Sequence, residues 1–155
     1  LNGLAKMTGM HRYDIPGVND TPGTDYAAQG RGGVAALEDN DVVFVHVEAP
    51  DAEGHDGNPQ GKVAAIEAID REIVMPLLDY ADAHELRIMA LPDHPTPCAT
   101  KKHSRGDVPF VIWGAGIAHN GAPRLTEACA AATGVRIDPG FGLMDRLLGQ
   151  VNVDG

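Results

Sequence analysis

Five side chains that commonly bind metal ions lie in loops that follow or precede predicted strands. Asp51 and His55 come after one apolar run, Asp93 and His94 come directly after another, and His103 lies just before a third. Mixtures of carboxylate and imidazole ligands suit Mn, Zn, Fe or Co, whereas Mg prefers oxygen ligands and water. Five protein ligands exceed what one catalytic metal with an open position usually takes. Two metals about 3.5 to 4 Å apart would use all five, and such pairs serve phosphoryl chemistry.

Each of these residues also has a structural interpretation. Asp51 and Gly54 are residue types that turn the chain and cap a helix after any strand. Asp93 could likewise cap a turn, although three prolines in the segment 92–97 would hold it and His94 in a rigid backbone. His103 could be a solvated loop residue. Its basic neighbours are more typical of a solvated loop face than of phosphate ligands: Lys101, Lys102 and Arg105.

The other histidines fit structural or surface roles. His46 lies inside the first apolar run and is interpreted as a core or sheet-face histidine. His11, His84 and His119 are expected on the surface.

A strand, a helix and a second strand are predicted to place the candidate ligands at one sheet edge. Residues 42–47 are rich in valine and predict a buried strand that ends before Pro50, with a loop over 51–61. A helix is predicted over 59–83, with a stripe of Val63, Ile66, Ile69, Ile73 and Leu77 against the sheet and a kink at Pro76. Residues 86–91 predict a second strand parallel to the first, and 109–113 a third.

Helices are also expected near both ends of the chain. One covers about 1–10, a second runs from Thr21 or Thr24, as N-cap, to about residue 39, and a last one covers 142–148. The glycines at 30, 32 and 33 do not form a GxGxxG motif after a strand, so we reject a dinucleotide site.

Composition excludes several classes of partner. The chain has 155 residues, a formal net charge of −10 and a pI near 4.9, which argues against nucleic-acid and anionic-membrane partners. Its apolar runs are far shorter than a bilayer span of about 20 residues, and no basic-then-apolar leader opens it, so a cytoplasmic protein is expected. Cys98 and Cys129 form no CxxC motif and are expected to be buried or idle thiols.

The motifs together resemble one enzyme family. The order VFVHVEAPDAEGHDG, then PDHPTP, then HS with VPFVIWG is similar to the archaeal type of cofactor-independent phosphoglycerate mutase, in the alkaline phosphatase superfamily. The likeness covers nearly the whole chain. It implies an α/β fold, a three-layer sandwich with a mainly parallel sheet and helices on both faces. It also implies two divalent metals, usually manganese, with zinc, cobalt or magnesium as alternatives.

The resemblance assigns roles to residues. Asp51, His55 and His103 would bind one metal, and Asp93 and His94 the other. Phosphate would move between the 2- and 3-positions of glycerate through a phosphoserine. The family's serine nucleophile lies near its amino terminus, before an inserted substrate domain, and the only serine here, Ser104, does not match it. We therefore expect residues 1–155 to be one partial metal-binding domain, inactive in isolation.

Two rival functions stay open at this point. A related metal-dependent phosphotransferase or phosphatase could use the same ligands on another substrate. Alternatively, the chain could be an inactive module that serves only in folding or interaction. The sequence leaves the oligomeric state open.

Overall fold

The computed structural model describes residues 1–149, which contain seven α-helices, one π-helical turn and two β-strands. The elements in chain order are α1 (Asn2–Met7), α2 (Tyr26–Ala36), α3 (Ala49–Asp56), α4 (Pro59–Ile69), a π-helical turn (Asp70–Val74), α5 (Met75–Ala81), β1 (Arg87–Ala90), β2 (Val111–Gly114), α6 (Glu127–Ala132) and α7 (Gly142–Leu147). No helix in the described part is long and apolar enough to cross a bilayer.

The chain divides into two compact units. One consists of Leu1–Tyr80 together with the short segment Cys98–Lys101, and the other of Ala81–Pro97 and residues 102–149. The buried apolar side chains of the first unit are mostly alanines, with Ile73, whereas those of the second are Ile112 and Leu143. Whether the chain forms a single domain, as expected, stays a prediction.

The N-cap of helix α2 lies one residue after Thr24, the later of the two threonines that the sequence offers. Asp25, not a threonine, is the N-cap, and its side chain accepts a hydrogen bond of 2.8 Å from the Ala28 N–H. Thr24 is instead buried, and its hydroxyl accepts the Asn19 N–H at 3.1 Å. Because Thr24 bonds the loop before the helix, Asp25 is the residue that accepts a hydrogen bond from an otherwise unpaired N–H of the first turn.

The strand predicted over 42–47 is not present. These residues carry no strand pairing in the described part of the chain, and Phe44 is 61% exposed. The buried Gln29 of α2 holds the segment instead, donating from Nε2 to the His46 carbonyl at 2.5 Å. The expectation that His46 is a core or sheet-face histidine is wrong as well, since no strand forms here, its side chain is 44% exposed and its Nε2 lies 3.5 Å from Glu48 Oε2. A valine-rich run has the propensity for a strand, but a ladder also needs a partner backbone.

The predicted loop over 51–61 is largely helical. Pro50 lies in the first turn of α3, where its missing N–H costs no hydrogen bond, and Asp51 adds a carboxylate to the same turn. Gly57 ends the helix in the left-handed conformation, with φ 71°. Asn58 then caps α4, because its side chain accepts the Gly61 N–H at 3.1 Å. The sequence predicts the end of a strand at Pro50, whereas in the structure this proline lies in the first turn of a helix.

The long helix predicted over 59–83 is confirmed with a local change in winding. The chain is helical from Pro59 to Ala81, and the π-helical turn immediately precedes the proline at position 76. Pro76 has no N–H to bond the Glu72 carbonyl, and the backbone of Gly30 in α2 lies directly against that carbonyl. A Cβ at Gly30 would lie 2.0 Å from the Glu72 oxygen.

The apolar stripe of this long helix is only partly buried. Ile73 is 4% exposed, whereas Val63 and Ile66 are 54% and 51% exposed. The stripe was expected to lie against the sheet. The contacts of the π-helical turn are instead with α2, in the same unit.

The second unit contains a two-stranded sheet. Strands β1 and β2 confirm the predicted runs at 86–91 and 109–113, but they pair antiparallel, with Ile88 opposite Trp113. The mainly parallel sheet is therefore not what the described strands form. Helix α7 confirms the predicted carboxyl-terminal helix and contacts β1, and α6 was not predicted. Arg87 of β1 donates to the carbonyls of Ala115 and Leu147 at 2.7 and 3.1 Å.

Candidate metal centre

An aspartate and a histidine face each other on helix α3. Asp51 and His55 are four residues apart, which places them on one side of the helix, and Asp51 Oδ2 lies 3.3 Å from His55 Nε2. The other ring nitrogen, Nδ1, lies 3.0 Å from the Lys101 carbonyl oxygen. Both nitrogens of one imidazole are therefore directed at oxygen atoms.

The position of the hydrogen on the His55 ring is compatible with a cation at Nε2. A carbonyl oxygen can only accept a hydrogen bond, so the contact with Lys101 requires the hydrogen on Nδ1. In a neutral imidazole Nε2 then carries a lone pair, and this lone pair faces the Asp51 carboxylate. A second proton or a metal ion on Nε2 satisfies both groups. Metal–ligand bonds of about 2.0 to 2.2 Å to each atom are compatible with a 3.3 Å separation between the two ligands.

A second aspartate–histidine pair occurs in the other unit. His94 Nε2 lies 3.5 Å from Asp93 Oδ2, and the His94 N–H donates to Asp93 Oδ1 at 3.1 Å. His94 Nδ1 lies 3.2 Å from the hydroxyl of Thr96, which is only 3% exposed. The arrangement repeats that of Asp51 and His55, because Nε2 faces a carboxylate and Nδ1 contacts an oxygen on another residue.

His103 contacts the ring of His94. Its ring lies against that of His94, with centroids 3.8 Å apart and planes inclined by 35°, and a ligand atom of each lies within 4.8 Å of the other. The loop is closed by a hydrogen bond of 3.0 Å from the Ser104 N–H to the Pro95 carbonyl. Imidazole nitrogens are common ligands of divalent metal ions, so two neighbouring rings are a suitable arrangement for metal ligation.

Glu53 lies between the two ligands of α3 in sequence but has a different role. Its Oε2 accepts a hydrogen bond of 2.8 Å from the Asn58 side chain, at the junction of α3 and α4. Burial, and secondarily the charge of Glu53, raises the pKa of the Tyr26 phenol above its usual value. Glu53 is thus part of the support for α3 and not of the candidate ligand set.

Two contacts in this region were not expected from the sequence. Thr96 lies between two of the prolines that follow Asp93 and His94. A hydroxyl at this position is the signal in the sequence for a partner of the preceding histidine. Lys101 contacts His55 through its backbone carbonyl, and no side-chain pattern signals such a contact.

Comparison with known proteins identifies the family. A family model described as the metalloenzyme superfamily matches residues 2–139. The chain belongs to the metalloenzyme superfamily. The expected resemblance to cofactor-independent phosphoglycerate mutases is confirmed, and membership supports both an α/β alkaline-phosphatase-like fold and binding of divalent metal.

Two curated relatives carry the same enzyme name. Over 117 residues the chain is 44% identical to 2,3-bisphosphoglycerate-independent phosphoglycerate mutase 2 of Methanothermobacter thermautotrophicus, covering 76% of this chain and 29% of the relative. Over 150 residues it is 35% identical to the corresponding mutase of Methanothrix thermoacetophila, covering 96% of this chain and 38% of the relative. The chain thus spans about a third of the length of these relatives.

A solved structure supports the fold. The protein PH0037 of Pyrococcus horikoshii aligns with a TM-score of 0.83 at 30% identity, covering 99% of this chain and 47% of that chain.

Proposed function

We propose that this chain is the metal-binding part of a phosphoglycerate mutase that interconverts 2- and 3-phosphoglycerate through a phosphoserine intermediate. The observation that carries the proposal is the repeated geometry of two aspartate–histidine pairs, each with Nε2 facing a carboxylate oxygen at 3.3 or 3.5 Å. The names of the relatives add the substrate. Cytoplasmic location and a role in glycolysis and gluconeogenesis are part of the proposal.

The ligands divide between two divalent ions in this proposal. Asp51, His55 and His103 serve one ion, and Asp93 and His94 serve the other. The nitrogen and oxygen ligands favour manganese or zinc over magnesium. Two ions held in this way would supply Lewis-acid stabilisation of the phosphoryl oxygens and activation of the nucleophile.

In this proposal the residues of this chain hold and orient the metal ions, and the serine that takes part in the covalent step lies outside these 155 residues. Ser104 is the only serine in the sequence, and its N–H is bonded to Pro95 next to a candidate ligand. We propose that the serine nucleophile, the remaining metal ligands and the substrate domain lie in sequence outside these 155 residues, in keeping with the partial coverage of the relatives. The whole α/β sandwich would then be completed by that sequence.

Metal stoichiometry tests the ligand assignment. The purified chain, equilibrated with MnCl2 or ZnCl2 and dialysed, is expected to retain metal, measured by elemental analysis. Asp51→Ala and Asp93→Ala should each lower the retained metal, and the double variant should abolish it. Asp20→Ala, an exposed carboxylate outside both pairs, is the control. Equal metal content in all of these proteins would overturn the assignment.

Activity is tested on the protein expressed from its complete reading frame. Phosphorus NMR distinguishes 2- from 3-phosphoglycerate, so conversion of either one to the mixture, lost in His55→Ala and Asp93→Ala, is the expected result. Release of inorganic phosphate from a generic ester without isomerisation would assign a phosphatase instead. No reaction on either substrate would leave an interaction module as the function and overturn the proposal.

A further inference from the structure

The segment Cys98–Lys101 belongs to the same compact unit as helix α3, and one of its residues has an unusual backbone. Lys101 has φ 56°, the only left-handed conformation of a non-glycine residue in the described part of the chain. Its carbonyl oxygen is the atom that lies 3.0 Å from His55 Nδ1. We propose that Lys101 is a positioning residue, whose left-handed backbone presents this carbonyl to His55 and so fixes the nitrogen available to a metal.

The contact is supported from the other side by Gly57. A Cβ at Gly57 would lie 2.4 Å from Lys101 Cε and 3.2 Å from the Cys98 carbonyl oxygen. The segment therefore lies directly on the helix end, where a glycine with φ 71° permits the close approach. Residue 101 is held at its side chain over Gly57 and at its carbonyl over His55.

The consequence for the ring follows from its two tautomers. With the hydrogen on Nδ1 bonded to the carbonyl, the Nε2 lone pair is directed at the region of Asp51 Oδ2, and ring rotation is restricted. Oxygen partners of this kind on ligand histidines typically change metal affinity by 10- to 100-fold. The effect on metal rests on the proposed function, whereas the effect on the tautomer does not.

The tautomer is tested without metal. In an Asp51→Ala background the competing carboxylate is gone and the site cannot form, so imidazole nitrogen NMR of His55 at alkaline pH reports the Lys101 contact without competition from that carboxylate. We expect the Nδ1–H form in Asp51→Ala and the Nε2–H form, preferred by free histidine, after adding Lys101→Val. A β-branched residue disfavours the left-handed conformation that the carbonyl contact needs. The Nε2–H form in Asp51→Ala alone would overturn the proposal.

Metal affinity is tested in the otherwise unchanged chain. Titration with Zn2+ should show that Lys101→Val weakens binding by about 10-fold or more, whereas Lys101→Gly, which adopts a positive φ freely, stays within about threefold. The glycine variant also shows whether the amine matters, and circular dichroism checks that both variants fold. Equal affinity for the valine variant and the unchanged chain would overturn the proposal.

The two tests separate this proposal from the proposed function. If the unchanged chain binds no Zn2+ while the tautomer responds as expected, the metal site is wrong and the positioning contact is right. If metal binds but neither the His55 tautomer nor the metal affinity changes on substitution of Lys101, the metal site is right and the positioning contact is wrong.

Discussion

At the scale of single residues, the candidate ligands are distinguished by what holds their second nitrogen. Lys101 supplies a backbone oxygen to His55, and Thr96 supplies a buried hydroxyl to His94. These partners restrict ring rotation before any ion arrives, which lowers the entropy cost of binding. The same scale includes Tyr26, whose phenol is placed partly out of water near Glu53.

Replacement of Thr96 by valine tests the hydroxyl contact. The variant keeps the shape of the side chain but leaves His94 Nδ1 without this partner, so we expect Zn2+ affinity of the chain to fall about 10-fold. Isothermal titration calorimetry measures it. Thr8→Val, the same exchange at the exposed C-cap of α1, should leave affinity unchanged. An unaltered affinity in Thr96→Val would show that the hydroxyl does not orient the ring.

Tyr26 gives a pH prediction. Because the pKa of Tyr26 is raised above the usual 10.0 by burial and then by Glu53, the folded chain holds this proton where the unfolded chain has lost it. Its contribution to stability is complete below pH 10 and is lost as pH rises through the folded pKa.

Urea unfolding across this alkaline range checks the Tyr26 prediction. The stability loss should be smaller in Tyr26→Phe. Glu53→Gln should lower the Tyr26 pKa in an absorbance titration, since the carboxylate charge is removed. A Tyr26→Phe curve parallel to that of the unchanged chain would contradict the assignment.

At the scale of elements, the backbones of α2 and the π-helical turn approach each other closely at Gly30 and Glu72. Pro76 frees the Glu72 carbonyl, and Gly30 is the residue that can lie against it. The site helix α3 is likewise defined by its ends, with Pro50 in the first turn and Gly57 at the last. The residues that begin and end a helix, and the close backbone contacts between helices, therefore decide where the candidate ligands of α3 lie.

Gly30→Ala tests the close approach. Its methyl group would meet the Glu72 oxygen at 2.0 Å, so the backbones must separate, at a cost of about 1–3 kcal/mol in the free energy of unfolding. Gly3→Ala is the matched control, since no atom lies within 4 Å of its Cβ position in helix α1. Urea unfolding followed by circular dichroism measures both. Equal midpoints for the two variants would show that the contact is not tight.

The N-cap of α2 gives a second element-scale prediction. Asp25→Ala removes the acceptor of the Ala28 N–H and should destabilise the chain by about 1 kcal/mol. Asp20→Ala removes an exposed carboxylate that caps no helix and should change the midpoint little. A loss of the same size in both variants would point to general charge effects instead of the cap.

At the scale of the whole molecule, the formal charge of −10 favours cations over anionic partners. Ligands that bind only the folded state stabilise it by mass action, by about 2.7 kcal/mol at a concentration one hundred times the dissociation constant. The pairs on α3 and after β1 should thus link metal to folding.

Thermal unfolding with and without MnCl2 checks this linkage. The midpoint should rise with metal, return after addition of EDTA, and rise less in Asp51→Ala and in Asp93→Ala. Calcium chloride at equal concentration controls for ionic strength and is expected to have a smaller effect, because imidazole is a poor calcium ligand. A midpoint insensitive to manganese in the unchanged chain would contradict metal binding.

The sequence by itself determined the family, the long helix that contains Pro76, and the strands near 88 and 112, and it predicted the candidate ligand residues. These features depend on side-chain type, on local periodicity and on motif order. It was wrong about 42–47 and about the loop over 51–61, where valine propensity and Pro50 each allow more than one local structure. Tertiary structure decided that residues 42–47 form no strand and are bonded to Gln29 at His46, and that Pro50 lies in the first turn of α3.

Tertiary structure alone also decided the contacts of the ring nitrogens. Every residue type has a backbone carbonyl, so nothing in the sequence distinguishes that of Lys101. Only folding brings this oxygen to 3.0 Å from Nδ1 of His55, which is 46 positions away in the sequence. Strand direction is of the same kind, because β1 and β2 have the same propensities whether they pair parallel or antiparallel. The chemistry of a side chain follows from its residue type, whereas its orientation and the pairing of strands depend on contacts with residues that are distant in the sequence.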